Sequence, residues 1–370
     1  MVLKQKQKKD GAAYKAWTAV TLAATAVILV AAGAYVAYID PCFHYHAPLE
    51  KYFYPLFDER YQSNGIERFF DYDAVITGTS MVENFKTSEM DALFDCNAIK
   101  IPFGAAWMPE IKDNLTTVYE SGHDVKYVIL SLDEYAFLVD DPDAYDYIYE
   151  YPTYMTNKNP FDDVEYLLNK EMLLTHAIEG VYGRDADTPQ TTSFDDYVRW
   201  NEKYEFGRDQ VLRGDTGEGR DYANTPYDKN PISDEEVSRI HAVIDRNLLP
   251  IIEAHPETTF YFFVPPYSIY NWEGLRKNGA IQRRADIERT IFEAFFPYEN
   301  VRLYSFYEEY DMVCNLDNYK DLEHYSGEVN SRMLQWMAAD EHRITPENYE
   351  TYLQNITAFY SSYDYTQIFS

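Results

Sequence analysis

Twenty-four consecutive residues without a charge, Ala16 to Ile39, constrain this chain more than any other feature. As a helix rising about 1.5 Å per residue, such a run crosses roughly 30 Å of hydrocarbon. Lys4, Lys6, Lys8, Lys9 and Lys15 precede it, Trp17 stands near one end, and Tyr35 and Tyr38 stand near the other. Basic residues mark the cytoplasmic side and aromatic residues the two interfaces. The expected order is a cytoplasmic basic tail (1–15), a transmembrane helix (16–39) and an extracytoplasmic remainder, giving a single-pass protein of the cell membrane. Ala32-Gly33-Ala34 resembles a signal-peptidase site, so a cleaved signal peptide is the alternative. The apolar run continues past that site, which favours retention.

Composition narrows the partners. The 370 residues include 62 acidic against 32 basic, a net charge of −30, and such a surface repels phosphate backbones. Nucleic acid is therefore excluded as a partner, and solubility is the plain reason for the acid excess. With 46% hydrophobic residues the chain can bury a sizeable core. Its 36 tyrosines suit stacking on sugar rings, although many must serve the core. Cys42, Cys96 and Cys314 make no disulfide framework; a Cys96–Cys314 bridge and buried free thiols both remain open. No cysteine pair has metal-ligand spacing, and neither a metal nor a cofactor is expected.

Residues 40–66, with Pro41, Pro48 and Pro55, read as a juxtamembrane stalk. From residue 67 to 345 the pattern is that of an α/β domain. Strands are predicted at Ala74–Gly78, Ala98–Phe103, Val125–Leu132, Thr258–Val264 and Asn300–Phe306, because these short apolar, β-branched or aromatic runs end in turn residues. Helices are predicted between them, at Lys86–Phe94, Pro109–Ser121, Ser233–Ala254 and Arg283–Phe296, and one more at Gly327–Ala339. Strands alternating with helices imply a doubly wound parallel sheet of five strands. A weakly periodic stretch at about 140–230, with one helix expected at Asp162–Thr175, reads as an insertion that lids or flanks a cleft. Residues 346–370 form a tail with a helix near its start.

Ligands of open parallel sheets bind beyond the carboxyl ends of the strands. The first strand delivers Gly78-Thr79-Ser80 to that edge, where a serine hydroxyl is exposed and helix-start amides face whatever it attacks. A nucleophilic serine needs a base, and the base an orienter. After the last strand, Asp321 and His324 stand three residues apart in a loop, a spacing at which the carboxylate holds one ring nitrogen and leaves the other for Ser80. Read alone, each of these signals is also an ordinary turn or helix cap. Val82 excludes the G-x-S-x-G elbow.

Taken together, Gly78-Thr79-Ser80, Gly104 after the second strand and Asp321-x-x-His324 near the end resemble the SGNH (GDSL-like) hydrolase superfamily. The anchored, exported arrangement is similar to its membrane-tethered branches, the alginate O-acetylation and teichoic-acid D-alanine transfer proteins. The resemblance covers about 73–340, interrupted by the insertion. It implies an SGNH/flavodoxin-like fold, Ser80 as nucleophile, His324 as base, Asp321 as its orienter, and the amides of Ser80 and Gly104 as oxyanion donors. Two positions depart from the family: Thr79 stands for its Asp, and Asp133 stands where an Asn donor follows the third strand. A carboxylate offers an oxyanion no hydrogen. Either Asp133 faces elsewhere or the site is weak or inactive; Asp133 and Trp107 are placed among the residues expected to meet substrate, Trp107 as a stacking platform for a sugar ring or as core.

Two functions of different class follow. One is an esterase or O-acyltransferase acting on a cell-envelope polysaccharide or teichoic-acid-like polymer. The other is a non-catalytic module that binds polymer or scaffolds a membrane-bound O-acyltransferase. A third, a solute-binding protein using His44 and His46 by the membrane, has the plain alternative of hydrogen-bonded structure. Asn114 and Asn355 begin glycosylation sequons, and Arg302 inside a strand suggests a buried ion pair.

Overall fold

The structure, a computed structural model, describes residues 2–145, 151–157, 159–179 and 189–370. Parts of the expected insertion, at 146–150, 158 and 180–188, lie outside the described residues. The chain divides into two compact units, one of Met1–Leu56, Asn64–Phe69 and Pro152–Thr192, and one of Phe57–Ser63, Phe70–Tyr151 and Ser193–Ser370.

In the smaller unit the helix Val2–Ile39 contains a 27-residue stretch, Ala13–Ile39, long and apolar enough to span a membrane. It stops at Asp40, whose backbone takes φ of 52° and whose carboxylate accepts the amides of His44, Tyr45 and His46 at 2.9, 2.6 and 3.0 Å. The Tyr166 hydroxyl donates to the same carboxylate at 2.8 Å. Those bonds turn the chain and satisfy a carboxylate that burial would otherwise penalise. His44 Nε2 lies 3.3 Å from Asp163, and His46 Nδ1 lies 2.7 Å from the Ala47 carbonyl. Among the described residues no group of three His, Cys, Asp or Glu is placed to hold a metal ion, and what the structure shows for the two histidines is these local contacts. The helix expected at Asp162–Thr175 is instead a short helix, Val164–Leu167, followed by a π-helix, Met172–Glu179.

The larger unit holds a mixed six-stranded sheet, where the sequence pattern implies five parallel strands. These are β1 (Ala74–Gly78), β2 (Ala98–Pro102), β3 (Tyr127–Ser131), β4 (Thr259–Val264), β5 (Val301–Ser305) and β6 (Arg343–Ile344), in the order β2-β1-β3-β4-β5-β6. The first five run parallel; β6 pairs antiparallel to β5 through only Leu303–Ile344 and Tyr304–Arg343. Two residues are too short to leave an alternating pattern, which is why the sixth strand escapes sequence reading. Phe260, Phe262 and Phe263 of β4 are fully buried on both faces, each contributing about 1.5–3 kcal/mol by leaving water.

Helices Met108–Glu120, Asp234–Asn247 and Ile281–Phe295 pack in one group, and Thr87–Phe94 packs with Gly327–Ala338 in another. The crossover from β1 to β2 steps one way along the sheet and later crossovers step the other. Right-handed connections then put the two groups on opposite faces and open a crevice at the carboxyl ends of β1 and β3. The helix expected to run from Ser233 to Ala254 breaks at Leu248, ahead of Pro250. A helix not anticipated, Ile269–Asn278, follows Pro265-Pro266, and the tail carries a long helix, Tyr349–Ser362. Arg302 is not in a buried pair: it is partly exposed, 3.8 Å from Asp340, with its guanidinium over Tyr261. Asn114 is buried, its side chain donating to the Ile101 carbonyl, and so is no glycan acceptor. Cys42, Cys96 and Cys314 are thiols, with no disulfide between them.

Candidate active site

β1 ends in Gly78 at φ of 137°, a backbone conformation that side chains rarely adopt, and a Cβ there would stand 2.5 Å from Ser131 Oγ. The glycine lets the chain cross the end of β3 closely. The Thr79 amide then donates to Ser131 Oγ at 3.3 Å, and both the Thr79 and Ser131 hydroxyls donate to Asp133 Oδ2 at 2.8 Å. Tyr267, after β4, donates to Asp133 Oδ1 at 2.7 Å. Asp133 is 1% exposed with both oxygens engaged by protein hydroxyls, so it presents no face at the strand ends. It is instead the buried knot that ties the β1, β3 and β4 ends together. Burial pushes its carboxyl upward, against the pull of the Tyr267, Ser131 and Thr79 hydroxyls.

That knot fixes Ser80, the next residue but one after Gly78. The helix expected at Lys86–Phe94 runs Thr87–Phe94, and the residues directly behind Ser80 form turns that precede it. Ser80 Oγ lies 2.8 Å from His324 Nε2, across 244 residues of sequence. His324 Nδ1 lies 3.0 Å from each oxygen of Asp321. Asp321 Oδ1 also accepts the backbone amides of Glu323 and His324 at 2.9 and 2.8 Å, so the same carboxylate shapes the loop and orients the ring. Burial would raise Asp321, but the His324 ring and these amides outweigh it and hold the carboxyl down at about 2. With a carboxylate on Nδ1, the ring carries its hydrogen there and presents Nε2 as an acceptor for the Ser80 hydroxyl.

Outlying bonds hold the two segments in register. The Met81 carbonyl accepts from Tyr325 and Asn330 at 3.1 and 3.0 Å, and the Leu322 carbonyl accepts from the Ser268 hydroxyl at 2.8 Å. The Trp200 ring meets His324 edge-on, with centroids 5.6 Å apart. An open cavity of about 660 Å³ lies over Ser80 and His324; Trp200, Tyr204, Lys320 and Glu59 also line it. The Lys320 ammonium sits 4.0 Å from the Trp200 ring centre and 4.1 Å from that of Tyr204. Trp107 is half-buried at the start of the helix Met108–Glu120 and lies outside that lining; Trp200 and Tyr204, from the expected insertion, supply the aromatic wall instead.

Gly104 borders the cavity, but its amide is taken. It donates to Glu59 Oε1 at 2.5 Å, while Arg60 donates to the Gly104 carbonyl at 3.0 Å and to Glu110 at 3.2 Å. The expected donor pair is thus half closed. Of the two amides only that of Ser80 has no acceptor among the described residues, and Glu59 occupies the place an oxyanion would take at Gly104. A Cβ on Gly104 would lie 3.3 Å from both Glu59 and Glu83. Burial pushes Glu59 up to about 7, against the pull of the Gly104 amide and Arg60. Burial and the Glu59 charge push Glu83 up to about 8. Sequence reading misses this carboxyl pair because Glu59 falls in the expected stalk and meets Gly104 only through folding.

The chain matches no protein-family model, no curated protein and no solved structure.

Proposed function

We propose that the larger unit is a serine-dependent acyl-handling enzyme of the SGNH kind. The observation that carries this is the hydroxyl–imidazole–carboxylate chain, 2.8 Å from Ser80 to His324 and 3.0 Å from His324 to Asp321. Ser80 Oγ attacks an ester carbonyl as its proton passes to His324 Nε2. The carbon–oxygen bond to the leaving alkoxide breaks, and His324 returns the proton to that oxygen. An acyl group then sits on Ser80 until water or a sugar hydroxyl, giving its proton to His324, attacks it; the acyl–Oγ bond breaks and His324 returns that proton to Ser80 Oγ. Asp321 stabilises the imidazolium throughout.

More particularly, the substrate is an acylated glycopolymer of the cell envelope, with Tyr204, 52% exposed at the cavity rim, as the ring a sugar meets and the buried Trp200 as the wall behind it. The helix Ala13–Ile39 anchors the protein in the membrane, its lysine-rich end in the cytoplasm and its folded units outside. A fluorophosphonate probe tests the chemistry. The full-length protein is expected to label at Ser80, with labelling abolished in Ser80→Ala and His324→Ala. Persistent labelling of Ser80→Ala removes the nucleophile from this scheme.

The closed Gly104 amide and the sealed Asp133 favour a second reading, a polymer-binding or acyltransferase-scaffolding module that has kept the triad without its oxyanion site. A wild-type protein that never labels, yet retains acylated glycan on an affinity matrix, selects that reading.

A further inference from the structure

The smaller unit shows an apolar face that its own fold leaves uncovered. On the short helix Val164–Leu167 and its continuation, Val164 is 50% and Leu168 41% exposed; on Met172–Glu179, Leu174 is 43% and Ile178 37% exposed. Each pair is spaced by four residues, so each presents one side of its turn. The opposite sides carry Tyr166, Met172 and Ala177, all buried. Phe161, 87% exposed, extends the surface. Water-facing proteins seldom leave such residues contiguous.

These segments pack on the outer end of the helix Val2–Ile39, and their depth along it can be measured. A Cβ on Gly33 would meet Leu167 Cβ at 3.6 Å and Leu168 Cδ2 at 3.7 Å, and the Tyr35 hydroxyl donates to the Ala177 carbonyl at 3.1 Å. Gly33, Val36 and Ile39 are buried beneath this contact, whereas Val27, Ile28 and Val30 are about two-thirds exposed or more. The 27 residues of Ala13–Ile39 rise about 40 Å, and a hydrocarbon layer of roughly 30 Å centred on them ends about three residues short of Ile39. Gly33 then lies just inside the hydrocarbon, and so do the leucines that touch it. Lys170 and Glu171, between the two apolar pairs, suit headgroup depth, and neither segment is long enough to cross the layer.

We propose that Val164, Leu168, Leu174 and Ile178 form a second membrane contact, lying in the leaflet that receives the C-terminal end of the helix Val2–Ile39. The occupant is phospholipid acyl chain. The face is continuous with the lipid-facing side of that helix, and the inference rests on the helix crossing the bilayer. The smaller unit then sits with one side immersed instead of hanging from a single strand of chain.

The test uses full-length protein in phosphatidylcholine nanodiscs, with Leu168, Leu174, Ile178, Val27, Leu93 or Leu322 replaced one at a time by p-benzoylphenylalanine. After irradiation, mass spectrometry is expected to find phospholipid adducts at 168, 174, 178 and 27, at least about tenfold above the yields at 93 and 322. Yields at 174 and 178 no higher than at 322 overturn the proposal, as do adducts to a second copy of the chain. Adducts at 27 without adducts at 174 leave the anchor standing and remove only this second contact. No adduct at 27 removes the membrane span itself.

Discussion

Replacing Glu59 by Gln tests the plugged donor site. The Glu59 side chain is 16% exposed, and its carboxyl is pushed from 4.5 to about 7, chiefly by burial. A carboxyl raised by folding favours the native state below its ordinary value, and that advantage is lost as pH rises from 4.5 through 7, because the folded protein must then ionise a buried group. At about 1.4 kcal/mol per pH unit, the interval corresponds to about 3 kcal/mol of lost stability at pH 8. Glutamine keeps an oxygen for the Gly104 amide and the Arg60 guanidinium but never ionises. Glu59→Gln is therefore expected to match wild type in urea unfolding at pH 4.5 and to exceed it by about 1–3 kcal/mol at pH 8. The lower part of that range allows for the neighbouring Glu83, which shares the penalty. The same variant removes a negative charge from beside the developing oxyanion, so its fluorophosphonate labelling at pH 8 should be faster than wild type. Identical pH dependence of stability in the two proteins, or a variant weaker at both pH values, refutes the argument.

Two further outcomes follow from the same geometry. Asp133→Asn places an amide donor at this position, but three buried hydroxyls donate into that carboxylate and an amide leaves at least one without an acceptor. Urea denaturation should show a loss of about 1–3 kcal/mol with no gain in Ser80 labelling; a tenfold faster label would mean that residue 133 does face the reacting oxygen. Asp321→Asn keeps an oxygen for the loop amides but no charge for the imidazolium, so labelling should fall by about 10²-fold or more. Because the folded value of about 2 lies below the ordinary 3.8, Asp321 contributes stability above pH 3.8 that is lost as pH falls toward 2, and acid titration of the variant should lack that limb.

Much of the site is legible in the amino-acid order. Ser80 follows the end of β1, and Asp321 and His324 stand in the loop that leads from β5 to the helix Gly327–Ala338, so strand order and the Asp-x-x-His spacing together point to the residues. Asp133 is found by the same logic, and of the readings open to it, substrate contact or facing elsewhere, its burial agrees with the second. Its position after β3 is a matter of sequence, whereas its inward direction follows from Gly78, whose missing side chain lets Thr79 reach it. Trp107 is close to Gly104 in the chain, yet the aromatic wall comes from Trp200 and Tyr204, roughly a hundred residues away.

The uncharged helix, five strands and the chain order of the reacting groups can all be read without a fold, because hydropathy period and residue order are local properties that survive without neighbours. Other features exist only once the chain has packed. Ser80 Oγ and His324 Nε2 come within 2.8 Å, Glu59 closes the Gly104 amide, and Leu168 lies against Gly33. Each of those is a contact between segments remote in the chain, set by the packing of whole elements, and no window of residues contains it.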